Sequence, residues 1–128
     1  MLAVLRIVAG AVFVTAGTTI LFNYPPGPQG MPPLRFLSQM WIGGLLEVVG
    51  GLLVVLGLFT RPVAFVLAGE MAVAYFQFHH PHSVFPTVNQ GVPAILYCFV
   101  YLYLWAAGAG AWSLDSLIAR SRRARAGG

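Results

Sequence analysis

Four apolar stretches, each about one bilayer thick, fill most of this chain: residues 2–22, 37–59, 62–78 and 93–108. A hydrocarbon core of about 30 Å takes roughly 20 apolar residues as helix. Between them the stretches leave too little polar sequence to clothe a soluble core. Of 128 residues, 59% are hydrophobic and 8% are charged. A water-soluble domain of this size carries roughly a quarter charged residues. The stretches lack apolar–polar alternation and are about twice the length of a tilted membrane strand, which excludes a barrel. The sequence predicts an all-α integral membrane four-helix bundle, one domain over residues 1–128. The first stretch has Arg6 as its one basic residue and no small-residue cleavage pattern, so it reads as a retained helix.

The arginines set the orientation. Arg6, Arg61 and the tail arginines Arg120, Arg122, Arg123 and Arg125 fall on one side after four crossings, and Arg35 falls on the other. The positive-inside rule places both termini in the cytoplasm and makes this a multi-pass protein of a bacterial-type inner membrane. Residues 113–128 read as a short basic interfacial tail, with Ser113 or Asp115 capping a helix whose Leu117 and Ile118 dip into the interface. A basic juxtamembrane tail fits orientation or contact with anionic lipid. No nucleic-acid partner is expected.

Glycines recur seven apart, at Gly10 and Gly17 and at Gly43, Gly50 and Gly57, with a second set at Gly44 and Gly51. Such stripes let helix backbones approach closely, which is how helices associate in lipid. The loop at 23–33 carries five prolines, which helix does not cross. Pro62 and Pro93 sit where helices start, as proline does.

Chemistry is confined to few residues. Glu47 and Glu70 are the carboxylates inside the spans. A charge at mid-bilayer costs about 2.5–3.5 kcal/mol on insertion scales, so each needs a partner or a proton. Arg6 is the arginine inside a span and is expected to pair with Glu47, Glu70 or both. The cluster reads either as a buried ion pair fixing helix register or as a proton-accepting, quinone-facing site. His79, His80 and His82, with Asn89 nearby, are polar candidates on the outer face, but Pro81 breaks regular spacing and no metal site is expected. No span has an interior histidine for haem, and the single Cys98 has no thiol partner for exchange. Tyr97, Tyr101 and Trp105 recur four apart in the last stretch and form a candidate face for a partner or a flat ligand.

These residues resemble the DoxX family in order along nearly the whole chain. Arg6, Gly10, Phe13 and Gly17 are similar to its opening, and Glu47-Val48-Val49-Gly50-Gly51 through Leu56-Gly57-Leu58-Phe59-Thr60-Arg61 to its central signature. Met71-Ala72-Val73-Ala74-Tyr75-Phe76, then Pro86, Asn89 and Gly91, resemble its third helix end and outer loop. Gly108-Ala109-Gly110-Ala111-Trp112-Ser113-Leu114-Asp115 resembles its Gly-Pro-Gly-x-Trp-Ser-Leu-Asp ending, with Ala109 in place of the proline. Asn89-Gln90-Gly91-Val92 stands where Asn-Gly-Gly-Glu is common, and Thr18 and Thr19 stand near a position that is often basic. The resemblance implies a four-helix membrane protein in a redox setting, since some relatives resemble a membrane subunit of thiosulfate:quinone oxidoreductase and others help assemble redox complexes. The reading is an accessory subunit of a membrane redox or energy-converting complex, more simply non-catalytic by itself. Its surroundings are lipid and a membrane-protein partner or a second copy. The alternatives are a quinone-interacting oxidoreductase subunit, quinone being the one cofactor brought forward, and a small transporter.

Overall fold

A computed structural model describes residues 1–27 and 34–127. The part of the proline loop at 28–33, and Gly128, lie outside the described residues. The described chain is all-α, without strands. Its elements are α1 (Leu2–Phe22), α2 (Gln39–Leu56), α3 (Thr60–Ala74), a π turn (Tyr75–His79), a 3-10 turn (His80–His82), α4 (Pro86–Asn89), α5 (Val92–Ala107) and α6 (Leu114–Ala126). α1 and α2 are long and apolar enough to cross a membrane, and α5 is a shorter apolar helix. Large apolar side chains point outward from every long helix, among them Val8, Leu52, Phe65 and Phe99. A lipid surround removes the cost that water would impose on them.

The ends of the helices follow local chemistry. α2 starts two residues later than the apolar run, because the Ser38 hydroxyl accepts from Trp41 N and caps it. It stops at Gly57, whose left-handed backbone (φ 68°) lets Gly57 and Leu58 donate back to Val54 and Leu53. Phe59 is also left-handed (φ 51°), and together the two residues reverse the chain so that α3 begins at Thr60, with Pro62 in its first turn. The helical run then continues through the π turn to His79.

Glycine decides the packing of α1 on α2. A Cβ on Gly10 would lie 2.7 Å from Gly51 O, and one on Gly17 would lie 2.6 Å from Gly44 O. The two antiparallel backbones therefore touch at two places along their length. The companion stripe serves another helix: a Cβ on Gly50 would meet Leu67 Cδ2 at 2.9 Å. α3 packs in turn along α5, and the core gathers Phe13, Val54, Leu67, Ala68, Tyr101 and Leu104.

The two kinds of glycine predict opposite responses. Gly10→Val should lower the unfolding free energy in detergent by about 1–3 kcal/mol, since a backbone oxygen cannot yield to the new side chain. Gly69, inside α3, has nothing within 4 Å of a built Cβ. Gly69→Ala should raise stability by roughly 0.5–1 kcal/mol through helix propensity. Denaturant titration in one detergent, followed by circular dichroism, measures both.

Candidate functional site

Two features concentrate the polar chemistry of the molecule, one between α2 and α3 and one at the end that carries most of the arginines.

The first is a cavity of about 360 Å³ whose walls include Gly43, Leu46, Val66, Gly69 and Met71, with Glu47 and Glu70 among them. It falls in the range of roughly 300–1,000 Å³ usual for small-molecule sites. The absence of side chains at Gly43 and Gly69 makes the space. Glu70 Oε1 lies 3.0 Å from where a Cβ on Gly43 would sit, so any larger residue there would press on the carboxylate. Glu47 is buried, 7% exposed. One oxygen of each carboxylate, Glu47 Oε2 and Glu70 Oε2, is buried and has no hydrogen-bond partner among the described residues. Gln39, at the start of α2, lines the same cavity and donates to Gln77 of the π turn. The site is thus an apolar space with two acidic groups on its wall, able to exchange protons with, or accept hydrogen bonds from, a guest.

Arg6 is not part of it. The expected pairing with Glu47 or Glu70 is corrected by the register of α1 on α2. The Arg6 guanidinium packs against Gly57. Glu47 stands ten residues back along α2, about 15 Å away at 1.5 Å per residue. Arg6 is fully buried, and its Nη2 donates to Trp112 O at 2.8 Å. The opposite charge that acts on it is Asp115.

The second feature is built around that contact. Asp115 accepts from Phe59 N (2.9 Å) through Oδ1 and from Thr60 N (3.0 Å) through Oδ2, while its own N–H donates to Gly57 O (2.9 Å). It therefore caps α3, the helix before the last apolar one. Ser113 is the cap of α6, accepting from Ser116 N. The Trp112–Asp115 segment thereby ties the start of α1, the α2–α3 turn and α6 together. Sequence reasoning missed this docking. Its signals were that Asp115 closes the Trp-Ser-Leu-Asp motif and is the one acidic residue outside the spans.

On the opposite end, His79 and Asn89 come together, while His80 and His82 are exposed. His79 Nδ1 donates to Asn89 O at 3.1 Å. Asn89 Nδ2 donates to Ser83 O at 2.8 Å, and its Oδ1 accepts from Gly91 N at 2.8 Å. Asn89 thus holds the connection into α5. Among the described residues, no three His, Cys, Asp or Glu side chains gather as a metal set.

Of the three residues in the expected partner face of α5, Tyr101 turns inward. Tyr101 is fully buried, its ring 4.6 Å from that of Phe13 and its hydroxyl donating to Ala9 O at 3.0 Å. Tyr97 also packs on Phe13, at 5.1 Å. A buried phenol needs an acceptor, and the Ala9 carbonyl supplies it only from the inside. Trp105 remains half exposed beside Phe65, and the outward aromatic residues of α5 are Phe99 and Tyr103.

The DoxX family model matches residues 1–80, which span α1, α2, α3 and the π turn and so both carboxylates of the cavity. The chain belongs to the DoxX family. A protein of Haemophilus influenzae described as uncharacterized is 40% identical over 118 residues, covering 90% of this chain and 88% of that protein. No solved structure matches. DoxX membership and the apolar helices make this a membrane protein.

Asp115→Ala should destabilise this DoxX chain by about 1–2 kcal/mol, the loss expected when a helix cap goes. Asp115→Asn should lose less, because the amide oxygen still accepts one of the two N–H groups. Thermal melts in detergent rank the three proteins.

Proposed function

We propose that this DoxX-family protein is an accessory subunit of a larger membrane redox assembly, and that the α2–α3 cavity is where it meets a quinone drawn from the bilayer. One observation carries the reading: Glu47 and Glu70 both line an apolar cavity between two lipid-facing helices, and one oxygen of each is buried without a hydrogen-bond partner among the described residues. The residues present fit such a guest. Leu46, Val66 and Met71 suit a ring and prenyl tail, and the carboxyl groups suit the oxygens of a head group. A bound quinone would carry electrons and protons between the assembly and the lipid pool. Glu47 and Glu70 would hold or release a proton at their carboxyl groups, and the surrounding side chains would keep water away. The electrons would come from a redox subunit of that assembly.

The proposal includes the topology. α1, α2, α3 with its π turn, and α5 cross an inner membrane as a four-helix bundle, with both termini in the cytoplasm. The gathering of Arg6, Arg61 and the α6 arginines at the end marked by the Arg6–Trp112 contact supports this. A reporter fused after α6 should show cytoplasmic activity, and periplasmic-type activity would overturn the orientation.

Extraction of the native membrane into nanodiscs tests the quinone reading. Mass spectrometry should find more quinone per phospholipid in discs holding the protein than in empty discs from the same membrane. Glu47→Leu with Glu70→Leu should lower that excess about tenfold, the loss expected of hydrogen bonds to charged or acidic groups. A wild-type ratio equal to that of empty discs would sink the proposal.

A further inference from the structure

Where α6 lies beside the start of α3, an open recess of about 680 Å³ is lined by Arg61, Gly108, Asp115, Ser116 and Arg122. Arg61 is seated there by the missing side chain of Gly108. A Cβ at that position would lie 3.2 Å from Arg61 Nε and 3.4 Å from Nη2. Gly108 is also left-handed (φ 80°), so a larger residue is disfavoured twice. Arg122 reaches the recess from α6, on the face that also carries Asp115 and Ala119.

The charges at this end do not balance. The chain has seven basic residues, all arginine, and six of them, every one but Arg35, belong to this end of the molecule. The chain has three acidic residues, of which Glu47 and Glu70 line the other cavity. The third, Asp115, has both oxygens engaged by Phe59 N and Thr60 N. Among the described residues, the one carboxylate of Asp115 leaves this end with an excess of positive charge. α6 also exposes Leu114, Leu117 and Ile118, spaced as one helical face, and Trp112 before it is 79% exposed. A helix of this kind lies in the headgroup region of a bilayer.

We propose that this recess binds the phosphodiester headgroup of one anionic phospholipid, gripped by Arg61 and Arg122. Guanidinium groups suit the oxygens of a phosphate through paired, charge-assisted hydrogen bonds. The lipid would join α6 to the α2–α3 turn, a site separate from the carboxylate cavity.

The full chain, purified in mild detergent and supplied with equal amounts of phosphatidylglycerol and phosphatidylcholine, tests this by native mass spectrometry. The wild type should retain one phosphatidylglycerol in preference to phosphatidylcholine. Arg61→Gln with Arg122→Gln should weaken that retention by about tenfold or more, as expected when charge-assisted hydrogen bonds are lost. Arg123→Gln with Arg125→Gln, whose side chains do not line the recess, should retain the lipid as the wild type does. If the first pair fails to fold, Arg122→Gln alone, on an exposed surface, takes its place with the same expectation. Glycerol phosphate and inorganic phosphate added as competitors separate the sources. A lipid site resists millimolar amounts of either, and displacement by them would overturn the lipid in favour of a soluble phosphate. Equal retention by wild type and the Arg61/Arg122 variant, or equal loss in both pairs, would overturn the site.

Discussion

The backbone contact between α1 and α2 governs the rest of the molecule. At Gly10 against Gly51, and at Gly17 against Gly44, two helices meet with no side chain between them. In lipid there is no hydrophobic drive to bring helices together, so close packing of this kind is what holds them. The contact also fixes a register. With Gly10 beside Gly51, Arg6 falls beside Gly57, and its charge lands at the turn between α2 and α3. There it finds the Trp112 carbonyl and the field of Asp115.

The same contact turns α2 about its axis. Once Gly44 and Gly51 face α1, the stripe of Gly43, Glu47 and Gly50 must face α3. Gly50 receives Leu67, and Gly43 leaves room for the Glu70 side chain. The carboxylate cavity is thus a by-product of how α2 meets both neighbours. A residue larger than glycine at position 44 or 51 would push α1 away, and Arg6 would leave its place. Packing and site are coupled through one helix.

The two polar features divide the labour between them. Near the arginine-rich end, Trp112 and Asp115 tie α6 to α1 and to the α2–α3 turn, and one of the Arg6 nitrogens is satisfied there, while Nε and Nη1 are buried without a partner among the described residues. Within the span, Glu47 and Glu70 carry oxygens that nothing in the described chain satisfies. Groups that cost stability in a native protein commonly belong to its function. The cavity is read as the place where a ligand is met because its two acids stand beside an apolar space large enough for one.

Length and hydropathy alone determined the helical, membrane-embedded character of this chain, because lipid leaves the backbone few other ways to satisfy itself. The glycine spacing showed that helices would pack closely, and the motif order from Arg6 to Asp115 showed the family. Glu47 and Glu70 were legible as special because any acid inside an apolar span is. Which glycine stripe met which helix was not legible, since 43–50 and 44–51 have the same spacing. Nor were the partners of Arg6 or the inward turn of Tyr101. All of these depend on axial register and rotation, and a uniformly apolar helix has no periodicity to reveal its buried side. Only the tertiary structure, through contacts between atoms distant in sequence, decided that Arg6 belongs with Trp112 and Asp115, and that the two glutamates stand without it.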